Sequence, residues 1–307
     1  MKIIVVGGNG FVGKSLVKRL IDYPCEVFPL SRIDGFDLTD LHSTKKFFSD
    51  LKPDVIVNCA AHVGSVHYGL KYPASIVHDN SMMILNLFKA AQEECSNAMM
   101  VNLIANCAYP MHSDIQRESE MWEGMPHNTA LPFASTRRMI YVVSKSYMEQ
   151  FGLKSKNLVL PGVYGPGNHT DIERVHALDG IIIRMISALN SKNEEFEIWG
   201  TGKPVREWCY IDDVINIIIK SIELDNKPSI DPINIGQKTG YSIKEVAEIT
   251  ANIISYNGML TFNTNYPDGA EIKILDNTLF KKMFPRYKFV PIEKGIRKTI
   301  DYYQSVI

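Results

Sequence analysis

The first half of the chain alternates short apolar runs with longer segments in which apolar residues recur every three or four positions. The runs are rich in β-branched residues and predict buried strands, while the longer periodic segments predict amphipathic helices. The predicted strands cover residues 2–6, 26–30, 54–59, 99–104 and 158–160, and the predicted helices cover 42–51, 75–94 and the segment with residues 141–145. Alternation of this kind is typical of a doubly wound parallel sheet.

The pattern changes after residues 164–166, where glycine and proline mark the point at which the chain leaves the sheet. Further elements are predicted over residues 180–189, 213–224 and 232–235, and a capped helix opens at Ser242. The predicted fold is α/β, a doubly wound parallel Rossmann sheet with a smaller C-terminal α/β substrate lobe. The sheet is assigned to residues 1–165 and 210–236, and the lobe to 166–209 and 237–307.

Composition and charge argue against several classes of protein. The 307 residues suffice for a substantial core, and a net charge of −1 argues against a nucleic-acid or membrane-surface partner. No apolar stretch reaches the roughly 20 residues that a membrane helix needs. The five cysteines are scattered and have no paired spacing, which favours a reducing cytoplasm and argues against a bound metal.

A glycine-rich segment, residues 7–13, follows the first predicted strand and opens an amphipathic helix. This context is the one that the dinucleotide-binding fingerprint requires. The glycines let the backbone turn tightly and approach a pyrophosphate, whose charge the free N–H groups at the helix N-terminus accommodate. Gly7, Gly10 and Gly13 fit one spacing of the motif, and Gly8, Gly10 and Gly13 fit the other.

The second predicted strand ends in Ser31 and Arg32, where NAD-selective sites usually place an acidic residue. A hydroxyl and a guanidinium suit a 2′-phosphate, so NADP(H) is the predicted cofactor and NAD(H) the alternative. A solvated loop arginine is the alternative explanation for Arg32. Asp37 follows close behind, where its carboxylate could accept from the adenine amino group.

Tyr141 and Lys145 place a phenol and an ammonium one helical turn apart, so both side chains would point into one space. A free phenol has a pKa of about 10, and a neighbouring ammonium lowers it by stabilising the phenolate. Such a pair can exchange a proton with a carbonyl or alcohol oxygen. The same spacing also arises by chance on many surface helices.

Several motifs together resemble the extended short-chain dehydrogenase/reductase family, and within it the GDP-L-fucose synthases. They are Ala-Ala-His-Val-Gly (60–64), Asn-Cys-Ala-Tyr-Pro (106–110), Tyr-x-x-x-Lys (141–145), Val-Tyr-Gly-Pro (163–166), Trp-Gly-Thr-Gly-Lys-Pro-Val-Arg-Glu (199–207) and Pro-Asp-Gly (267–269) followed by Lys273. The resemblance covers nearly the whole chain. It implies an NADPH-dependent enzyme that epimerises and reduces a GDP-linked 4-keto sugar, and a homodimer.

The resemblance also implies roles for individual residues. Tyr141 would donate a proton to the C4 oxygen with the help of Lys145, while Cys107 and His176 would move protons at C3 and C5. The implied cofactor contacts are Gly7, Gly10, Phe11, Val12, Ser31, Arg32, Asp37, Leu38, Ala60, Ala61, Tyr141, Lys145 and His176. The implied substrate contacts are Val63, Tyr109, Arg184, Trp199, Arg206 and Lys273.

One position departs from the family pattern, because Ala105 stands where a Ser or Thr usually donates a hydrogen bond to the C4 oxygen. Loss of such a donor can cost about 10²-fold in rate, and Asn106 is one candidate replacement. The segment between Tyr109 and Tyr141, with Met121, Trp122, Arg137 and Arg138, also looks long and is interpreted as a reshaped substrate rim. A heptose is therefore as compatible as a 6-deoxyhexose, and a 4-reductase, 4-dehydrogenase or 4-epimerase without C3/C5 chemistry is the alternative function.

Overall fold

The computed structural model describes residues 1–172, 174–224 and 231–307. Residue 173 of the predicted lobe and residues 225–230 of the predicted sheet domain therefore lie outside the described residues. The strands are β1 Lys2–Val6, β2 Glu26–Leu30, β3 Val55–Asn58, β4 Met99–Ala105, β5 Ile115–Gln116, β6 Ser155–Leu160, β7 Gly162–Tyr164, β8 Glu195–Trp199, β9 Val205–Arg206, β10 Trp208–Tyr210, β11 Ile233–Asn234, β12 Tyr241–Ser242, β13 Met259–Asn263 and β14 Ile272–Leu275. The helices are α1 Phe11–Leu20, α2 Leu41–Leu51, α3 Val66–Lys71, α4 Pro73–Glu94, α5 Leu131–Phe151, α6 Ala177–Asn190, α7 Ile211–Glu223, α8 Ile243–Ile254, α9 Thr278–Met283 and α10 Ile292–Val306.

Six parallel strands form the central sheet, in the order β11-β6-β4-β3-β1-β2. The order reverses between β1 and β3, since β2 lies on one side of β1 and the later strands lie on the other. A ligand of such a sheet binds beyond the carboxyl ends of the strands at this reversal. The predicted fold class, a doubly wound parallel sheet, is confirmed.

Helices cover both faces of the sheet because successive side chains of a strand point to opposite faces. In β1, Ile3 and Val5 belong to the core on the side of α1 and α7, whereas Ile4 and Val6 belong to the core on the side of α2, α4 and α5. All four side chains are buried. Burial on both faces explains why β1 reads as a continuous apolar run rather than an alternating one.

The second half of the chain packs α6, α8 and α10 together beside three small sheets. In one of these, β14 lies between β9 and β5, so a short strand from the first half of the chain pairs with the second half. The division into residues 1–165 with 210–236 and 166–209 with 237–307 stays a prediction. Predicted element bounds are close to the observed ones, and β1 and β2 have the predicted limits.

Candidate active site

The glycine turn after β1 is packed too tightly for side chains. A Cβ on Gly13 would lie 2.2 Å from the Gly7 carbonyl oxygen, and a Cβ on Gly7 would lie 2.8 Å from the Ala60 nitrogen. Gly7 also has a φ of 77°, which disfavours other residues. Gly10 caps α1 without a side-chain hydrogen bond, and the first turn of the helix has no acidic residue. The N–H groups of this turn, which includes Phe11 and Val12, therefore fit a pyrophosphate.

The end of β2 carries a carboxylate as well as the predicted hydroxyl and guanidinium. The Ser31 hydroxyl and the Asn9 amide both donate to Asp34, at 2.7 and 3.0 Å. Arg32 is exposed and begins the short 3-10 helix that contains Asp34. Sequence reasoning missed Asp34, which stands next to the place where a 2′-phosphate or 2′-hydroxyl is expected.

Two of the predicted cofactor residues have structural partners. Asp37 accepts hydrogen bonds from the backbone and hydroxyl of Thr39, at 2.9 and 2.8 Å. The Leu38 side chain is buried in the core, and its carbonyl accepts from Asn86 at 3.0 Å. The carboxylate of Asp37 is exposed, so its predicted contact with adenine stays a prediction.

Cys107 lies in a 3-10 turn directly after β4, surrounded by cationic side chains. Burial raises the pKa of its thiol, and the nearby charges of Lys273, Arg137 and Arg138 act in the opposite direction. A thiolate formed here is therefore stabilised by cations rather than by solvent. The structure brings the predicted residues Cys107 and Lys273 together and adds the two arginines to the group.

Arg206 and Lys273 stand side by side because they are paired residues of the parallel strands β9 and β14. Burial lowers the pKa of Arg206 to about 10 and also lowers that of Lys273, with Arg206 contributing to the Lys273 shift. The two positive charges are thus held close together in a poorly solvated site. This arrangement suits an anion with two negative groups, as the sequence motif predicted.

Arg184 and Trp199 form the second predicted substrate group. The Arg184 guanidinium lies 4.3 Å from the centroid of the Trp199 ring, and the other face of this aromatic group is extended by Tyr266, stacked 4.8 Å from Trp199. His67 of α3 approaches Tyr266 edge-on at 5.2 Å. Flat aromatic surfaces next to a guanidinium suit a nucleoside base or a sugar ring. His67 and Tyr266 were not predicted.

His176 caps the N-terminus of α6, and its backbone accepts from Gly180 in the first turn. The protein around the imidazole and the nearby His169 lower its pKa, although the residue keeps an exposed surface. No hydrogen bond joins His176 to Cys107 within the described residues. The two predicted acid–base residues are therefore not joined directly, and their common role stays a prediction.

Tyr109 does not have the position that was predicted for it. Its side chain is only 1 % exposed, and its hydroxyl donates to Asn234 of β11 at 2.6 Å. Burial raises its pKa to well above the usual range. The phenol therefore ties the loop after β4 to the edge strand of the sheet, and the prediction that it contacts the substrate is wrong.

The direction of α5 determines which of its residues reach the carboxyl edge of the sheet. Near its start, Arg138 Nε donates to the Ala108 carbonyl, just beyond β4, at 2.6 Å. Further along, Ser144 Oγ donates to Asn157 at 3.1 Å. Asn157 is paired with Asn102, three residues before the end of β4 and so about 10 Å from the edge. Helix α5 therefore runs away from the carboxyl edge.

Tyr141 and Lys145 lie on this more distant part of α5. The Tyr141 hydroxyl donates to Asp231 at 3.2 Å, and Lys145 pairs with Glu149 at 3.9 Å on the exposed side of the helix. Burial and the Asp231 carboxylate raise the pKa of Tyr141, opposite to the predicted lowering. The structure does not bring this pair to Cys107, because the helix carries it below the carboxyl edge.

Phe133 and Arg137 occupy the upper turns of α5 instead, also four residues apart. The Arg137 guanidinium lies 4.8 Å from the Phe133 ring centroid and donates to Asn80 of α4 at 2.7 Å. Arg137 is 3 % exposed, and its Nε has no partner within the described residues. A phenyl ring and a guanidinium thus stand where the resemblance implied a phenol and an ammonium.

Three of the four residues named in the preceding segment, which was interpreted as a reshaped substrate rim, are buried rather than exposed at the surface. Met121, Arg137 and Arg138 are buried, with exposures of 0 %, 3 % and 9 %. Trp122 alone of the four is exposed, and the Arg138 guanidinium lies 5.4 Å from its ring centroid. The two arginines belong to the helix and the site rather than to an inserted loop.

The fold and the glycine turn define the class of protein. The model of the NAD dependent epimerase/dehydratase family matches residues 3–236, so the chain belongs to this family, a class of nicotinamide-dependent enzymes. The sequence-based predictions of the family, of an enzyme and of a nicotinamide dinucleotide cofactor are thereby confirmed.

Particular relatives narrow the similarity further. GDP-L-fucose synthase of Dictyostelium discoideum is 27% identical, with 98% of this chain and 94% of the relative covered. GDP-L-colitose synthase of Yersinia pseudotuberculosis is also 27% identical, with 99% and 98% covered. Among solved structures, a GDP-6-OMe-4-keto-L-xylo-heptose reductase from C. jejuni superposes with a TM-score of 0.90 at 23% identity, covering 100% of this chain and 98% of that one.

The described residues also bear on membrane spans and metal sites. No helix there is long and apolar enough to span a bilayer. Within the same residues, no three His, Cys, Asp or Glu side chains come together in a group suited to a metal ion.

Proposed function

We propose that the protein is an NADP(H)-dependent epimerase and reductase acting on a GDP-linked 4-keto sugar. The observation that carries the proposal is the group of Cys107, Arg137 and Lys273 directly after β4, at the carboxyl edge of the sheet that also carries the glycine turn. A ketone makes the carbons on either side of it acidic, and a thiol surrounded by cations is suited to removing such a proton. His176 is the proposed second acid–base group.

The cationic side chains around Cys107 are suited to stabilising an enolate. When Cys107 removes a proton next to the ketone, negative charge develops on the sugar oxygen. Within the described residues Arg137 Nε has no hydrogen-bond partner, and burial lowers the pKa of the guanidinium to about 10. It therefore stays charged at neutral pH and can stabilise that oxygen. Preorganised charge of this kind in a poorly solvated site is a large contribution to catalysis.

The nucleotide part of the substrate is supported by the second group of side chains. Arg206 and Lys273 provide paired charges for a diphosphate, and Arg184, Trp199 and Tyr266 provide flat surfaces beside it. Relatives named as GDP-L-fucose synthase and GDP-L-colitose synthase support guanine as the base. The heptose reductase among the structural neighbours shares the fold, and the identity of the sugar stays open to the assay below.

The glycine turn and the end of β2 hold the proposed cofactor. The N–H groups after Gly10 bind the pyrophosphate, and Ser31 and Arg32 bind the 2′-phosphate. When bound, a nicotinamide cofactor supplies or accepts the hydride. Ala60 packs against Gly7 at the reversal of strand order, so the loop that begins there, with Ala61 and Val63, lines the adjacent part of the cleft.

The test is incubation with NADPH in deuterium oxide and a panel of GDP-, dTDP-, CDP- and UDP-linked 4-keto sugars. We expect nicotinamide absorbance to fall and deuterium to appear at C3 or C5 of the GDP-linked sugar. Cys107→Ser should lower deuterium incorporation by about 10²- to 10⁴-fold. Reduction without incorporation would remove Cys107 and His176 from the mechanism and leave a simple 4-reductase.

A second function, epimerisation without reduction, is favoured by one observation. Phe133 has no proton to donate, although it stands where the resemblance implied a phenol. Ala105 likewise lacks a hydroxyl. Deuterium incorporation with no loss of nicotinamide absorbance in the same assay would support this second function.

We also propose that the protein is a homodimer. Helices α4 and α5 pack together, and their outer sides expose Val77, Leu85 and Val142, which are 41%, 45% and 47% exposed. Exposed apolar side chains on two adjacent helices suit a bundle with a second copy. Sedimentation of the wild type and of Leu85→Glu should give a dimer and a monomer respectively, and a monomeric wild type would refute this part.

A further inference from the structure

Three side chains at the carboxyl end of β3 form a continuous chain of hydrogen bonds. The Tyr68 hydroxyl lies 2.8 Å from His62 Nε2, and His62 Nδ1 lies 2.8 Å from an Asp79 carboxylate oxygen. We propose that Tyr68, His62 and Asp79 form the proton relay of the reduction, with Tyr68 as the group that touches the sugar oxygen. This inference rests on the proposed function and names its proton donor.

The relay is connected to the site at Cys107 through a shared asparagine. The Asn80 side chain accepts from the backbone N–H of His62 at 3.1 Å and donates to its carbonyl at 2.9 Å. The same Asn80 oxygen accepts from Arg137 at 2.7 Å, and Arg137 is one of the charges that act on Cys107. His62 is thus fixed directly beside the guanidinium that stands in place of the predicted lysine.

Tyr68 is fixed between the two other parts of the site. The Arg174 guanidinium lies 5.8 Å from the Tyr68 ring centroid, and Arg174 precedes His176 by two residues. On the other side, α3 packs against the turn Asn128–Ala130, which leads directly into α5 and Phe133. Tyr68 is half-buried, so part of its side chain is accessible. A phenol is therefore present in this region, carried by α3 rather than by α5.

Asp79 has a second imidazole partner at the protein surface. Asp79 also pairs with His78 at 3.1 Å, and the side chain of His78 is 73% exposed. Hydrogen bonds from His78 and His62 lower the pKa of Asp79, so its carboxylate remains ionised and holds His62 Nδ1 as a donor. The opposite ring nitrogen then faces Tyr68, and this assignment fixes the direction of the relay.

The reduction transfers one hydride and one proton to the ketone. Hydride from the reduced nicotinamide of the proposed function adds to the ketone carbon, and the carbonyl π-electrons become a lone pair on the sugar oxygen. That oxygen forms a bond to the Tyr68 proton as the phenolic O–H bond breaks. The phenolate takes the Nε2 proton of the His62 imidazolium, so the phenolic O–H bond re-forms as that N–H bond breaks. The ring is left neutral with its remaining proton on Nδ1, and it is protonated again from solvent. Asp79 positions the imidazole and stabilises its charged form, as a carboxylate does beside a catalytic imidazole.

A purely structural role for these hydrogen bonds is the competing explanation. It predicts that removing the Tyr68 hydroxyl affects stability but not one chemical step in particular. The proposed function offers two readouts on one substrate, because deuterium exchange uses Cys107 whereas nicotinamide oxidation needs the alcohol proton. A relay variant should therefore lose the second readout and keep the first.

The experiment compares Tyr68→Phe with Tyr141→Phe in the full-length protein, using NADPH and the GDP-linked 4-keto sugar in deuterium oxide. We expect Tyr68→Phe to slow nicotinamide oxidation by about 10²-fold or more and to leave deuterium exchange within about threefold. Tyr141→Phe should change neither rate by more than about threefold. The opposite pair of results, or equal oxidation in both variants, would overturn the proposal.

His62→Gln and Asp79→Asn extend the test to the positioning residues. Glutamine retains hydrogen-bonding groups but cannot pass a proton on, so nicotinamide oxidation should fall about tenfold or more while deuterium exchange stays within about threefold. Asp79→Asn should lower kcat with little effect on KM. Changes in thermal stability without these kinetic changes would show that the network is structural only.

Failure of the inference can be distinguished from failure of the proposed function. If the wild type neither exchanges deuterium nor oxidises NADPH with any sugar of the panel, the proposed function fails first. If the wild type performs both reactions and Tyr68→Phe oxidises NADPH normally, only the relay is refuted. Retained exchange in Tyr68→Phe also shows that the variant is folded and binds the sugar.

Discussion

The turn after β1 and the first turns of α5 both reach the carboxyl edge of the sheet. The turn presents backbone groups there, whereas the helix presents side chains. The turn consists of backbone, with Gly13 pressed against the Gly7 carbonyl so closely that no Cβ fits. The start of α5 works through side chains, with Arg137 held by Asn80 beside Cys107. A backbone site is fixed by its packing, whereas a side-chain site can be moved to another turn or another helix while the fold is unchanged.

The largest expected effect is a slower deuterium exchange when Arg137, in the first half of α5, is replaced. Arg137→Met should slow deuterium exchange by about 10- to 10²-fold, because a charged hydrogen bond is worth roughly 1.5–3 kcal/mol. Its thermal stability should not fall, since Arg137 is buried with an unpaired Nε and no carboxylate partner within the described residues. Enzyme assays and thermal unfolding measure both quantities.

Lys145→Met is the matched control in the same helix. Lys145 is exposed and pairs only weakly with Glu149, so we expect rates within about twofold of the wild type. A strong loss in Lys145→Met together with normal rates in Arg137→Met would restore the role that the sequence motif predicted for Lys145. It would also contradict the assignment of the upper turns of α5 to the site.

The glycine turn provides the next effect. In Gly13→Ala the new Cβ has to displace the Gly7 carbonyl, which should cost about 1–3 kcal/mol of stability and lower the affinity for NADPH about tenfold or more. Gly152→Ala is the control, because Gly152 has a φ of 73° but open space around its Cβ position. It should lose about 1 kcal/mol through backbone strain alone and bind NADPH normally. Equal affinities in the two variants would argue against the turn as the cofactor site.

These two regions also show how far the sequence could be interpreted. The limits of β1 and β2 and the glycine turn after β1 were predictable because each depends on a few neighbouring residues. The pair of α5 residues that reaches the carboxyl edge was not predictable. Phe133 with Arg137 and Tyr141 with Lys145 have the same spacing in one helix. Only the three-dimensional position of the helix shows which pair reaches the edge.

The lengths of β6 and α5 explain why Tyr141 and Lys145 lie away from the carboxyl edge. Strand β6 has six residues and spans about 20 Å, and the preceding helix must return over the same distance at 1.5 Å per residue. That requires about 13 residues after the active pair, whereas Lys145 is followed by only six before α5 ends at Phe151. The contacts of His62 with Tyr68 and Asp79 could not be predicted from sequence spacing either, because Tyr68 lies in α3 and Asp79 in α4.

A pH-dependent effect distinguishes the cationic group around Cys107 from a neutral pocket. The charge of Lys273 lowers the pKa of Cys107 against the raising effect of burial, so Lys273→Met should raise that pKa. The thiolate fraction grows as pH rises through the pKa, and the variant should therefore need a higher pH than the wild type to react. The rate of Cys107 alkylation by iodoacetamide as a function of pH measures this without substrate, with Cys107→Ser as the blank. An unchanged profile would separate Lys273 from Cys107.

The smallest expected effect concerns the choice between the two nicotinamide cofactors at the end of β2. The Asp34 carboxylate accepts from Ser31 and Asn9, so it stands next to the groups proposed for the 2′-phosphate. Two unit charges about 4 Å apart in water repel by about 1 kcal/mol, which corresponds to about fivefold in affinity. Asp34→Asn should therefore tighten NADPH binding about fivefold and leave NADH unchanged or weaker. The exposed Asp50 of α2 gives a charge-matched control, and Asp50→Asn should alter neither affinity. Tighter binding of NADH in Asp34→Asn would mean that this carboxylate faces away from the ribose.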